Sequence, residues 1–105
     1  MKVIREIVFD EDDAANLRFI QEICNQARNF FEPNADGKFA ERVLTVGHPV
    51  SMAHLEKVLE EMSRALMNIK NRKPHGAFPA GLKQGYIQNM YTAISIMGEW
   101  RKVLE

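Results

Sequence analysis

Pro33, Pro49, Pro74 and Pro79 fall at the margins of three long apolar stripes and never inside them. Proline within a helix removes a backbone donor and clashes with the preceding turn. The prolines therefore bound the helices that this chain is able to form. The first stripe is Leu17, Ile20, Cys24, Ala27 and Phe31, flanked by Phe19, Ile23 and Phe30. It predicts a core-facing helix over 12–32. Asp10, Glu11, Asp12 and Asp13 supply an N-cap and negative charge at the positive end of the dipole. Glu32 precedes Pro33, which disfavours the α region, and Asn34-Ala35-Asp36-Gly37 reads as a turn.

The second stripe is Leu55, Val58, Leu59, Met62, Leu66 and Ile69, which predicts a helix over 51–71. Ser51 is its N-cap, Glu60 and Arg64 are spaced for an ion pair, and Lys70, Arg72 and Lys73 complement the C-terminal dipole. Pro74 stops it. The third helix is expected over about 79–104, with Pro79 in its first turn. Its stripe is Leu82, Tyr86, Met90, Ile94, Met97 and Val103, broadened by Ile87, Tyr91 and Trp100.

Two segments read ambiguously. Val3, Ile7 and Phe9 alternate as in a strand, and β-branched residues favour an extended segment over 2–9. Val43-Leu44-Thr45-Val46 suits a strand that would pair with it. Residues 38–47 also suit a short helix capped by Asp36. The expected fold is mainly α: a single domain over 1–105, built as a bundle of three long helices. Residues 2–9 and 38–47 add a short fourth helix or a small two-stranded element.

A chain of 105 residues that is 46% hydrophobic suits one core. Cys24 is the only cysteine, so no intrachain disulfide is expected. MKVIREIVFDEDD does not read as a signal peptide. The longest uncharged run, Gln84 to Gly98, is too short and polar to span a bilayer. A cytoplasmic protein with no membrane partner is expected.

The formal net charge is zero, yet residues 62–98 contain no acidic side chain. Such a gap marks either a surface that meets something anionic or a segment too buried to hold charge. Lys70, Arg72, Lys73, His75 and Lys83 lie on both sides of one short connection and are the candidate anion-binding residues. Gly76, Gly81 and Gly85 permit close backbone approach there, and a helix N-terminus near residue 80 would point amides at the same space. No phosphate-binding loop, dinucleotide fingerprint or RNA-recognition motif is present.

The outer face of the third helix is the second candidate. Gln88, Thr92 and Ser95 are polar but uncharged, with Met90 and Met97 nearby. Depletion of charge and enrichment of Met suit the centre of a protein–protein interface. The histidines His48, His54 and His75 form no local metal pair, so neither metal nor cofactor is expected. Cys24 reads as a small core residue, and Asp10 to Asp13 as a capping cluster. No catalytic constellation is visible. The reading is a non-enzymatic interaction module, homodimeric or bound to another protein through the helix at 86–98. The alternative is phosphate or nucleic-acid backbone binding through 70–83.

Overall fold

The computed structural model describes residues 5–32, 39, 43–74, 78–79 and 81–105. A short strand β1 (Glu6–Val8) leads into a single 3-10 turn (Glu11–Asp13) and helix α1 (Ala14–Phe31). Strand β2 (Pro49–Ser51), helix α2 (Met52–Asn71) and helix α3 (Leu82–Leu104) follow. Three helices and a small antiparallel sheet thus make up the fold. No helix among the described residues is long and apolar enough to cross a membrane.

The acidic cluster does at the start of α1 what its sequence suggests. The Asp10 carboxylate accepts from the Asp12 N–H at 2.9 Å, and Asp13 accepts from the Asp10 N–H at 3.0 Å. This reciprocal capping satisfies amides that a helix start leaves unpaired. Leu17, Ile20, Ile23, Cys24, Ala27 and Phe31 are buried along the expected stripe. The Glu32 N–H closes on the Arg28 carbonyl at 2.8 Å, and the helix ends before Pro33. Ser51 caps α2 by accepting from the His54 N–H at 3.3 Å. Leu55, Val58, Met62, Ala65, Leu66 and Ile69 are buried against the other helices. Glu60 and Arg64 do not close the expected ion pair, since both are exposed and water competes for each.

The strand pairing is shifted from expectation. β1 pairs with 49–51 rather than 43–46, in the register Glu6↔Ser51, Ile7↔Val50 and Val8↔Pro49. Leu44 lies outside the strand, with its side chain in the core and its carbonyl accepting from Gln21 Nε2 on α1. Residues 43–47 form bends and turns, neither helix nor strand. Gly47 then takes φ +83, a left-handed value that suits glycine, and its N–H reaches the Phe9 carbonyl at 2.8 Å. Pro49 is tolerated because it opens its strand. Residues 2–4, 38 and 40–42 of the ambiguous segments lie outside the described residues.

α3 begins at Leu82, three residues later than expected, after Gly81 turns the chain at φ +93. Its core direction also differs. Met90, Ala93, Met97 and Leu104 are buried, whereas Leu82 is 48% and Val103 65% exposed. Successive helical residues rotate by about 100°, which places Val103 roughly 140° from Met90. On the buried side, the Cys24 thiol meets Met90 Sδ at 3.9 Å.

Between α2 and α3, Phe78 holds the connection to the bundle. Its ring lies 5.0 Å from Phe30, 5.4 Å from Phe31 and 5.2 Å from Tyr86, centroid to centroid. Tyr86 in turn donates to Gln26 Oε1 at 2.8 Å. At the other end, Phe9 packs on Trp100 at 4.5 Å. Aromatic contacts therefore close both ends of α3 onto elements before α2.

Candidate interaction surface

The acid-free stretch is not a buried segment. On α2 it exposes Ser63, Arg64, Met67, Lys70 and Asn71; on α3 it exposes Gln84, Gln88, Tyr91, Thr92 and Ser95. α2 and α3 lie antiparallel. Arg101 meets Glu56 at 3.2 Å near one end, and Lys83 Nζ meets the Lys70 carbonyl at 3.5 Å at the other. The exposed residues of the two helices thus form one broad outer surface without a carboxylate between Glu61 and Glu99.

The five residues expected at the interface separate into two groups. Gln88, Thr92 and Ser95 are exposed on the outer face of α3. Met90 and Met97 are fully buried in the core and are not available to a partner. Thr92 Oγ1 folds back onto the Gln88 carbonyl at 3.1 Å, which leaves the local surface smooth. Two apolar side chains replace the buried methionines on the outside. Met67 is 53% and Tyr91 48% exposed. Met67 follows Leu66 out of phase with the α2 stripe, and that misphasing is the sequence signal for its exposure. Tyr91 carries no such signal, because apolar residues occupy several faces of α3.

The candidate anion-binding residues are also divided. Lys70 Nζ donates to Tyr91 Oη and sits 4.9 Å from the Tyr91 ring centroid, a cation–π position. Lys83 is spent on the Lys70 carbonyl, one of those that the end of α2 leaves without a helical partner. Arg72 and Lys73 are exposed, and neither makes an ion pair among the described residues. His75 lies outside the described residues. One carboxylate from α1 approaches this end: Glu32 accepts from Asn68 Nδ2 and pairs with Arg28 at 3.9 Å.

Cys24 is fully buried, and desolvation pushes its thiol up to about 12, with Arg28 lowering and Glu61 raising it further by charge. A thiol held neutral and out of contact with solvent is a poor nucleophile. Among the described residues no three His, Cys, Asp or Glu side chains gather to hold a metal ion. A shallow groove of about 380 Å³ runs between α1 and residues 44–46, with Leu17 and Leu44 beneath Glu11, Arg18, Gln21 and Thr45. Its lining holds neither histidine nor cysteine. No protein-family model, curated protein or solved structure matches this chain.

Proposed function

We propose that this chain is a small non-enzymatic interaction module that associates with a second copy of itself through the outer face of α3. One observation carries the reading: from Gln84 to Ser95 the exposed face of α3 has no charged side chain, although it faces solvent in the monomer. A helix face meant for water carries Lys and Glu, whereas an interface centre is depleted of them and enriched in Tyr and Met. Tyr91 and Met67 supply those apolar contacts beside Gln88, Thr92 and Ser95. Uncharged side chains are the cheapest polar groups to take out of water.

Light scattering across protein concentrations tests this reading, with a dimer expected. Thr92→Arg or Ser95→Arg should lower the mass to that of the monomer and leave helicity unchanged, because a cation would be stranded at the contact. A wild type that stays monomeric without a partner sinks the reading. So does a variant that unfolds instead of dissociating.

A second reading rests on Arg72 and Lys73, which are exposed at the end of α2 without an ion pair among the described residues. They suit phosphates of a nucleic-acid backbone. Each phosphate contact on duplex DNA contributes a log–log salt slope of about −0.9. Replacing both residues with Ala should therefore flatten the slope by about 1.8, with no loss of sequence preference. Absence of binding to duplex and single strands at low salt removes this reading and leaves the first intact.

A further inference from the structure

The outer surface of α2 and α3 is electrically lopsided along its length. Where the two helices connect, it carries Lys70, Arg72, Lys73 and Lys83, and neither helix places a carboxylate there. At the opposite end stand Glu56, Glu60, Glu99 and Glu105 against Lys57, Arg101 and Lys102. Two of those cations are already engaged, Arg101 with Glu56 at 3.2 Å and Lys102 with Glu99 at 3.3 Å. The uncharged strip of Gln88, Tyr91, Thr92 and Ser95 lies between the two ends. Two copies stacked on this strip in parallel would set four cations against the same four. Turned end for end, each cationic end meets the carboxylate end of the other copy.

We propose that two copies pack with their α3 helices antiparallel, related by a twofold axis near Thr92. This rests on the self-association reading above and adds the direction of the contact. A self-complementary patch is what a twofold dimer requires, and opposed charges at its two ends fix orientation more than affinity. Glu99 and Gly85 each lie seven residues from Thr92, about 10 Å along the axis at 1.5 Å per residue. Glu99 of one copy therefore faces the Gly85 level of the other, beside the exposed Arg72 and Lys73 at the end of α2. Gly85 has open space where a side chain would stand, so the approaching helix meets no obstacle there.

Paired charge reversals test the orientation. One variant carries Glu60→Lys with Glu99→Lys, and the other carries Arg72→Glu with Lys73→Glu. All four sites are exposed, and circular dichroism should show native helicity for both variants. Each variant alone should dimerise at least about tenfold more weakly than wild type, through like-charge opposition. Their mixture should form one-to-one dimers, because every reversed end then meets a complementary one. A wild-type dimer whose variants, each alone, associate as tightly as wild type overturns the antiparallel arrangement alone, since only that arrangement sets a reversed end against a like charge that wild type does not face. A wild-type monomer overturns the self-association reading beneath it.

Engineered thiols give a readout that does not depend on charge. Under copper-phenanthroline oxidation, Thr92→Cys should crosslink to its own copy, since the axis brings the two positions together. Gln84→Cys should not, because its two copies would lie about 24 Å apart along the axis and a disulfide needs Cα atoms within about 7 Å. Efficient crosslinking of Gln84→Cys to itself means a parallel dimer and overturns the proposal.

Discussion

α2 and α3 are neighbours of similar length, yet they divide core from solvent in different ways. α2 buries six of its 20 residues, all on one stripe, and places Glu56, Lys57, Glu60 and Arg64 opposite. α3 is longer at 23 residues but buries only four. Its solvent side from Gln84 to Ser95 is uncharged. The first helix is written for one partner, the core. The second has side chains to spare for another surface. Burial inside the bundle and composition outside it are therefore separate messages, and α3 carries both.

The sharpest way to break this contrast is to compare the two sides of α3. Met90→Ala, on the buried side against Cys24, should cost about 2–5 kcal/mol in chemical denaturation, as expected for large-to-small core changes. Thr92→Ala, two residues on, should stay within about 0.5 kcal/mol in the same experiment. Equal losses at the two positions would mean that the outer side is packed intramolecularly.

Cys24 probes the inner side from α1. Cys24→Ser should cost roughly 1–3 kcal/mol, because a buried hydroxyl there would face Met90 sulfur instead of an oxygen or nitrogen partner. The same burial predicts a pH signature. The folded thiol is raised from 9.0 to about 12, so its contribution is complete below pH 9 and is lost as pH climbs through that window. The unfolded chain gives up this proton first, and stability falls with a slope approaching 1.4 kcal/mol per pH unit. Measured as wild type minus Cys24→Ala, the difference should shrink above pH 9. A flat difference would place the thiol in contact with water.

The caps set the smallest of these effects. Asp10→Ala and Ser51→Ala should each cost about 1 kcal/mol through unsatisfied helix-start amides. Thermal melts should detect both, and light scattering should give the same mass as for wild type. A cap substitution that dissociates the dimer would place the contact on the wrong end of the molecule.

Helices α1 and α2 were legible because each has a single apolar stripe and a capping residue at its approach, Asp10 on the 3-10 turn that leads into α1 and Ser51 on α2 itself. Asp10 and Ser51 mark their starts, and the helices end at Phe31 and Asn71, each a few residues before a proline in the sequence. α3 was legible as a helix but not in its facing. Leu82, Ile87, Tyr91, Ile94, Ile96 and Val103 spread apolar character around it, so periodicity has no single direction. Tertiary contacts, among them Met90 with Cys24, Tyr86 with Phe78 and Gln26, and Trp100 with Phe9, turn one side inward. The strand pairing was half legible. Residues 6–8 read as extended, but the choice of 49–51 over 43–46 as their partner goes with tertiary contacts that have no local signal, such as Gln21 reaching the Leu44 carbonyl 23 residues away in sequence. The candidate site suffered from the same limit. Sequence placed Lys70 and Lys83 near one another, yet gave no sign that Tyr91 and a helix-end carbonyl would occupy them.

The contact between Cys24 and Met90 has a consequence for oxidative chemistry. Met62, Met90, Met97 and Cys24 keep their sulfur in the fully buried core, while Met67 is half exposed. Hydrogen peroxide in solution should convert Met67 to its sulfoxide before any of these four react, at the rate of an ordinary surface methionine. The four interior sulfurs should react only when the bundle opens. Once one is oxidised, a polar oxygen must be housed in an apolar interior, and the native state is weakened for every later opening. Oxidation of Met67 and of the interior sulfurs should therefore be separated in time, and mass spectrometry of partly oxidised protein would read the slower phase as the opening equilibrium of the bundle.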